Sequence, residues 1–153
     1  MADIMIPALK ADGTPYPVEK LEAHRRGLRH LAISAFVFDR DRLLLQRRAA
    51  DKYHCGGLWT NTVCTHPHWG EDAETCAHRR LREELGIDMD LIATGVSEYR
   101  ADVGGGLVEH EVVHMFRGES AAASLPVDPD PDEVDATRWV RIADLRAEMA
   151  ANP

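Results

Sequence analysis

Basic residues are in short supply in this chain. Lys and Arg number 18 against 26 Asp and Glu, a formal net charge of −8. That balance argues against general affinity for nucleic acid, which calls for a basic surface. Cysteine is scarce and odd in number, with three in all. Such a count fits a reducing compartment better than a disulfide framework, so a cytoplasmic location is expected. Long apolar runs are also missing. The longest extends roughly from Leu31 to Phe38, well short of the about 20 residues that a membrane helix needs. No charged-then-apolar leader is expected at the N-terminus. Internal repeats and low-complexity segments are absent. What is present is one domain's worth of chain, 153 residues, with an ordinary globular share of hydrophobic and charged residues. Eight histidines stand out, and their positions matter more than their number.

The pattern along the chain alternates between strand-like and helix-like segments. Residues 1–20, with Pro7, Pro15 and Pro17, read as an irregular arm or a short hairpin, and Leu21 to Arg29 as a polar, basic stretch. His30 to Phe38 reads as a β-strand, Asp39-Arg40-Asp41 as a turn and Leu43 to Gln46 as the returning strand. Arg47 to Trp69 is loop-rich, and a stretch that long without clear elements is usually functional. Asp72 is a suitable N-cap for the clearest helix. Ala73, Ala77, Leu81 and Leu85 recur every four residues as its buried stripe, and Gly86 ends it. Ser97–Val103, Glu109–Phe116 and Thr137–Val140 read as strands, and Ile142–Ala150 as a last helix. The acidic stretch Pro126–Glu133 reads as a solvated loop. The mixture predicts an α+β fold with a mixed β-sheet.

Two groups of residues could carry chemistry. The helix contains Arg79-Arg80-Leu81-Arg82-Glu83-Glu84, eight residues after Glu71. Carboxylates suit a hard divalent cation, and diphosphates bind through such cations. Arg80 and Glu84, four apart, share one side of the helix, although a solvated face with i,i+4 pairs reads equally simply. In the strand near 110, Glu109 and Glu111 point to one face. Two carboxylates on one face repel unless a cation or proton lies between them. His110 and His114 point the other way and read as surface or satisfied core residues. His24, His30 and His66 are far apart in sequence. Three His and two Glu brought together would make a mixed N/O site for Zn2+, Mn2+ or Fe2+. Cys55 and Cys76 read as unreactive thiols, and Cys55, Cys64 and His66 lack the C-x2-C pair of a structural zinc site.

The helix segment resembles the Nudix box, G-x5-E-x7-R-E-U-x-E-E-x-G-U, with two departures. Thr65 stands at the Gly position, and Arg80 stands where the first Glu after the Arg would be. Trp59-Thr-Asn-Thr-Val-Cys64-Thr-His66-Pro67 resembles the active-site signature of the type I isopentenyl-diphosphate isomerases, a Nudix-fold family. The resemblance includes His24, His30-Leu-Ala-Ile-Ser, Gln46-Arg47-Arg48, Lys52, Glu98-Tyr99-Arg100-Ala101, Val108-Glu109-His-Glu111-Val112 and Pro131-Asp-Glu-Val134. It implies an α/β/α sandwich and a single Nudix-like isomerase domain over 1–153, opened by an arm over 1–29. It also implies a further C-terminal segment that closes the pocket. These 153 residues do not include that segment, so weak isomerase activity is expected of them.

The family's functional positions carry over residue by residue. The resemblance implies that Cys64, Glu111 and Tyr99 are catalytic. His24, His30, His66, Glu109 and Glu111 would ligate one divalent metal, Mn2+ or Zn2+. The Cys64 carbonyl and the Glu84 carboxylate would ligate Mg2+ bound with the diphosphate. Lys20, Arg48, Lys52 and Arg80 would hold the diphosphate, and Trp59 would face the reacting cation. The implied function is interconversion of isopentenyl and dimethylallyl diphosphate in isoprenoid biosynthesis. The expected state is a monomer or weak homodimer whose partner is a small prenyl diphosphate, with no nucleic acid and no membrane. Two other readings are a Nudix pyrophosphohydrolase acting on a nucleoside diphosphate derivative and a non-catalytic prenyl-diphosphate-binding module.

Overall fold

The β-rich run after His30 forms the strand that organises the sheet. In the computed structural model, which describes residues 4–51 and 56–151, strand β3 spans Arg29–Asp39 and is its hub. Lys52 and Cys55 fall outside those residues. Two further strands, β1 (Met5–Leu9) and β2 (Pro15–Glu19), form a hairpin on the edge of β3, resolving the N-terminal arm as the hairpin alternative. Helix α1 (Lys20–Arg26) follows. The turn at Arg40, whose φ of 55° lies in the left-handed region, returns the chain into β4 (Arg42–Arg48). Between β4 and the long helix lie two short strands, β5 (Trp59–Thr60) and β6 (Val63–Thr65). Helix α2 covers Ala73–Leu85. Then come β7 (Ile92–Gly104), β8 (Leu107–Glu119), β9 (Val134–Arg141) and α3 (Ile142–Ala151).

The sheet is mixed because β8 runs parallel to β3 while the other pairings are antiparallel. The parallel register runs from Arg29 opposite His110 to Phe38 opposite Glu119, and it sets His30 opposite Glu111. β3 and β4 pair only at Phe38–Leu43 and Asp39–Arg42, beside their turn. Beyond that they diverge. β6 pairs on β3 with Cys64 opposite Ser34, and β5 pairs on β4. The gap so opened is where polar residues gather. Three α-helices among the described residues, with a mixed sheet, make the α+β fold that the pattern predicts.

Helix α2 follows its sequence signals closely. Asp72 Oδ1 accepts a hydrogen bond from the Thr75 amide at 2.8 Å, and Gly86 closes the helix at φ 65°. A side chain at Gly86 would meet Asp128 at 3.0 Å, so the glycine also allows a close approach. Ala77, Leu81 and Leu85 are fully buried against Ile33, Ala35, Val37 and Leu44 of the sheet, with Ala73 at the margin. Glu71, just before the helix, accepts two hydrogen bonds from Arg79, at 2.7 and 2.9 Å, and Arg79 also donates to Glu83 at 2.7 Å. The Glu71 hydrogen bonds from Arg79 pull its pKa down from 4.5 to about 2.

The structure extends the last three strands beyond their predicted bounds, β7 by five residues at its start, and differs in kind from the sequence reading in three places. The polar stretch Leu21–Arg29 contains α1, which at seven residues is too short to show a period. Its Glu19 side chain caps the Leu21 and Glu22 amides at 3.0 and 2.8 Å, and Ala23 and His24 are buried. An isolated helix of that length is marginal, so caps and packing hold it. The loop-rich stretch 47–69 contains β5 and β6, again too short for alternation to register. The acidic stretch 126–133 is not simply solvated. Its Asp128 and Asp130 amides bond the Leu85 and Glu84 carbonyls at 2.7 and 2.9 Å and so finish the C-terminus of α2.

Two outcomes follow for stability. Leu81→Ala leaves a cavity under α2, and chemical denaturation should show a loss of about 3 kcal/mol. The Glu71 carboxylate, with its pKa lowered in the folded state, contributes stability above pH 4.5 that disappears as pH falls toward about 2. The stability gap between wild type and Glu71→Gln should therefore be flat near neutrality and close over that acid window. A gap independent of pH would disprove the ionic origin of the clamp.

Candidate active site

Four side chains from four elements meet in the interior. His24 comes from α1, His30 from β3, His66 from the turn after β6 and Glu111 from β8. Each can offer one ligand atom, and those atoms all lie within 4.8 Å of one another. The three imidazole rings form a near-equilateral triangle with centroids 5.0, 5.1 and 4.9 Å apart. His24 and His30 are fully buried and Glu111 is 2% exposed.

Hydrogen bonding fixes the tautomers of two of these rings. His24 Nδ1 lies 2.8 Å from the Lys20 carbonyl, and His30 Nδ1 lies 2.7 Å from the Leu28 carbonyl. A carbonyl only accepts, so each Nδ1 carries a proton, and in the neutral ring each Nε2 then keeps its lone pair. His30 Nε2 then faces Glu111 Oε2 at 3.3 Å, acceptor against acceptor. Such a contact calls for a proton or a cation between the two atoms. His66 Nε2 lies 2.7 Å from the same oxygen, and burial pushes its imidazole down to about 4. Three imidazoles with one carboxylate, two of the rings oriented by backbone carbonyls, fit a divalent cation.

Tyr99 joins this cluster to Glu109. Its hydroxyl lies 2.8 Å from Glu111 Oε1 and 2.8 Å from Glu109 Oε2. One phenol proton serves only one of them at a time, so the pair of carboxylates again calls for a shared positive charge. Burial, then the Glu111 charge, raises the phenol's pKa. Burial pushes the Glu111 carboxyl up, but its contacts with His30, His66 and Tyr99 outweigh it and hold it ionised. Glu109 thus reaches the cluster through Tyr99 and lies outside the tight group of four. His110, on the opposite face of β8, bonds Glu98 at 3.0 Å.

Beside the cluster opens a cavity of about 240 Å³, into which Cys64, Tyr99, Glu109 and Glu111 all project. Lys20, Arg48, Arg80 and Glu84 line it as well. The Cys64 thiol takes a hydrogen bond from Ser34 Oγ at 3.6 Å. Burial and then the Glu111 charge push it up to about 12, so it stays protonated near neutrality. Arg80 is not a free cation. Its Nε lies 3.2 Å from Glu84 and its guanidinium lies 3.3 Å from Glu133 and 3.7 Å from Glu83. Burial raises the Glu84 carboxyl's pKa. Trp59 lines the cavity too, but its ring already carries Arg138 at 4.7 Å and Arg47 at 5.8 Å. Lys52 lies outside the described residues.

Sequence reading quoted four polar side chains that build this site within the resemblance but gave them no role. Ser34, Gln46 and Thr62 are buried, and Glu133 turns back from the acidic loop to Arg80. The available signal was a lone polar residue within an apolar strand, as with Ser34 and Gln46.

Comparison with known proteins agrees with the geometry. The model of the NUDIX domain matches residues 28–153. An isopentenyl-diphosphate Delta-isomerase of Rhodobacter capsulatus is 59% identical over 154 residues, covering 100% of this chain and 86% of that protein. One from Cereibacter sphaeroides is 60% identical, covering 97% of this chain and 84% of its own length. Among solved structures, a Deinococcus radiodurans protein aligns with a TM-score of 0.77 at 15% identity, over 97% of this chain and 90% of its own. A MutT NUDIX hydrolase from Burkholderia pseudomallei aligns at 0.61 and 23% identity, over 75% and 84%. These two share the fold. The 59–60% identities over nearly the whole chain carry the assignment further: the chain belongs to the NUDIX domain family and, within it, to the isopentenyl-diphosphate Delta-isomerases.

Proposed function

We propose that this chain interconverts isopentenyl diphosphate and dimethylallyl diphosphate. The observation that carries the reading is that the Cys64 thiol and a carboxylate, Glu111, hydrogen-bonded by the Tyr99 phenol, open onto one cavity. The reaction needs one proton added and another removed. The alkene electron pair takes a proton at the terminal carbon and leaves a tertiary cation-like centre. Loss of a proton from the neighbouring methylene returns an electron pair to the new double bond. Glu111 with Tyr99 handles the proton on one face, and Cys64 handles it on the other. In the reverse direction the two exchange roles.

The surrounding residues prepare that exchange. Ser34 orients the thiol. Trp59 and Leu58 supply apolar wall that keeps water from the cation-like centre. His24, His30, His66, Glu109 and Glu111 would hold Mn2+ or Zn2+, which when bound fixes Glu111 and tunes its acidity. Glu84 and the Cys64 carbonyl offer the hard oxygens that suit Mg2+ arriving with the diphosphate. Lys20, Arg48 and Arg80 line the same cavity as countercharge, and Lys52 would join them. Lys20 links the two halves, because its carbonyl sets the His24 tautomer. No described helix is long and apolar enough to cross a membrane. A cytoplasmic protein, monomeric or weakly dimeric, with no nucleic-acid partner, completes the reading.

Two measurements test it. Conversion of labelled isopentenyl diphosphate with Mg2+ should drop about 10²- to 10⁴-fold in Cys64→Ala and in Glu111→Gln. Undiminished conversion in either variant would remove that residue's role. Elemental analysis of the purified protein should find a bound divalent transition metal or zinc, and His30→Ala should lose most of it. Equal metal content in the two proteins would refute the histidine site.

A further inference from the structure

Gln46 is a buried amide, 1% exposed, in a strand whose neighbouring inward residue, Leu44, is wholly apolar. Its Nε2 donates to the Thr62 carbonyl at 2.7 Å and to Glu84 Oε1 at 3.2 Å. Both partners are acceptors, so the amide has only one workable orientation. That orientation leaves Gln46 Oε1 buried with no hydrogen-bond partner. A buried acceptor left unmet is costly, and an apolar side chain of similar volume would avoid the cost. The donor end is therefore where the residue acts.

Its two partners lead to the two halves of one ligand set. Thr62 stands two residues before Cys64 and is itself rigidly held. Its hydroxyl accepts from the Val37 amide at 2.9 Å and donates to the Leu44 carbonyl at 2.6 Å, stapling β3 to β4 where they separate. Glu84 projects from α2 on the other side, with Arg80 Nε 3.2 Å from its second oxygen. We propose that Gln46 is a positioning residue that sets the separation of the Cys64 carbonyl and the Glu84 carboxylate, and so tunes capture of the Mg2+–diphosphate group. The proposal rests on the reading of Glu84 as a Mg2+ ligand. By donating to Oε1, Gln46 also fixes the rotamer in which Oε2 lies against Arg80 Nε. It would support the charged form of a carboxylate that burial disfavours.

The test is a calorimetric titration of inorganic pyrophosphate with Mg2+ into four full-length proteins: wild type, Gln46→Met, Glu84→Gln and the double variant. Gln46→Met keeps the volume and removes the donor, and its affinity should fall about 10- to 100-fold. Glu84→Gln should weaken binding as well, and the double variant should bind no worse than Glu84→Gln alone. The metal content of the histidine cluster should stay at the wild-type level in Gln46→Met, which a general disturbance of the core would not allow. Wild-type affinity in Gln46→Met beside a weakened Glu84→Gln overturns the inference and leaves the Glu84 reading standing. Wild-type affinity in Glu84→Gln overturns both. Additive losses in the double variant overturn the inference, because Gln46 would then act by another route. If Gln46→Met does not melt cooperatively, Gln46→Asn replaces it. That variant is one methylene too short to span both partners and should show the same loss, and wild-type affinity in it refutes the proposal.

Discussion

A carboxylate at 2% exposure must be met from several directions, and Glu111 is met by two imidazoles and a phenol, with His24 within 4.8 Å. An ionised group so buried is unstable without such partners. That requirement reaches far into the fold. The parallel pairing of β3 with β8 sets His30 opposite Glu111. A slip of one residue would turn Glu111 to the other face and break the cluster. β6 must lie on β3 so that His66 arrives from the far side. α1 must be capped and packed although it is only seven residues long, because it delivers His24. The backbone carbonyls of Lys20 and Leu28 then turn two rings so that their lone pairs look inward.

The second half of the site depends on a different constraint, the divergence of β3 and β4. Where they part, backbone groups lose their strand partners and buried polar side chains take over. Thr62 and Asn61 bridge those groups, with Asn61 Nδ2 donating to the Ala35 and Val63 carbonyls at 3.1 and 2.9 Å. Gln46 carries the same network on to α2. The polar end of α2 is held against this gap by the Glu71–Arg79 clamp at one end and the 126–133 loop at the other. The cavity is thus walled by a histidine–carboxylate cluster on one side and an arginine–carboxylate group on the other. Cys64, on the short strand β6, lines the same cavity.

Much of the fold was legible before the structure. The apolar run of β3, the tight turn at Arg40, the four-residue spacing of α2 and its caps at Asp72 and Gly86 are local signals, and they correspond to observed elements. Elements that span no more than about two periods of their own pattern were not legible. α1, β5 and β6 have seven, two and three residues, and tertiary pairing defines them. The same limit hid Gln46, Ser34 and Thr62. A lone polar residue in an apolar strand has no sequence partner, and only the fold shows what it bonds.

The sequence by itself determined the chemistry on offer: histidines, paired acids in a Glu-x-Glu strand, a thiol in the Trp59–Pro67 signature and a basic, acidic helix. It also determined the family, through order and spacing over nearly the whole chain. Only the tertiary structure decided which of those groups meet. It drew His24, His30, His66 and Glu111 into one cluster and left Glu109 to join through Tyr99. It turned Glu133 back to Arg80, so that a residue read as a cation beside Glu84 stands among three carboxylates. The reason is physical. Residue type and spacing set what a side chain can do, but strand register, helix placement and burial set its partners, and in a low-dielectric interior the partners decide its charge and its role.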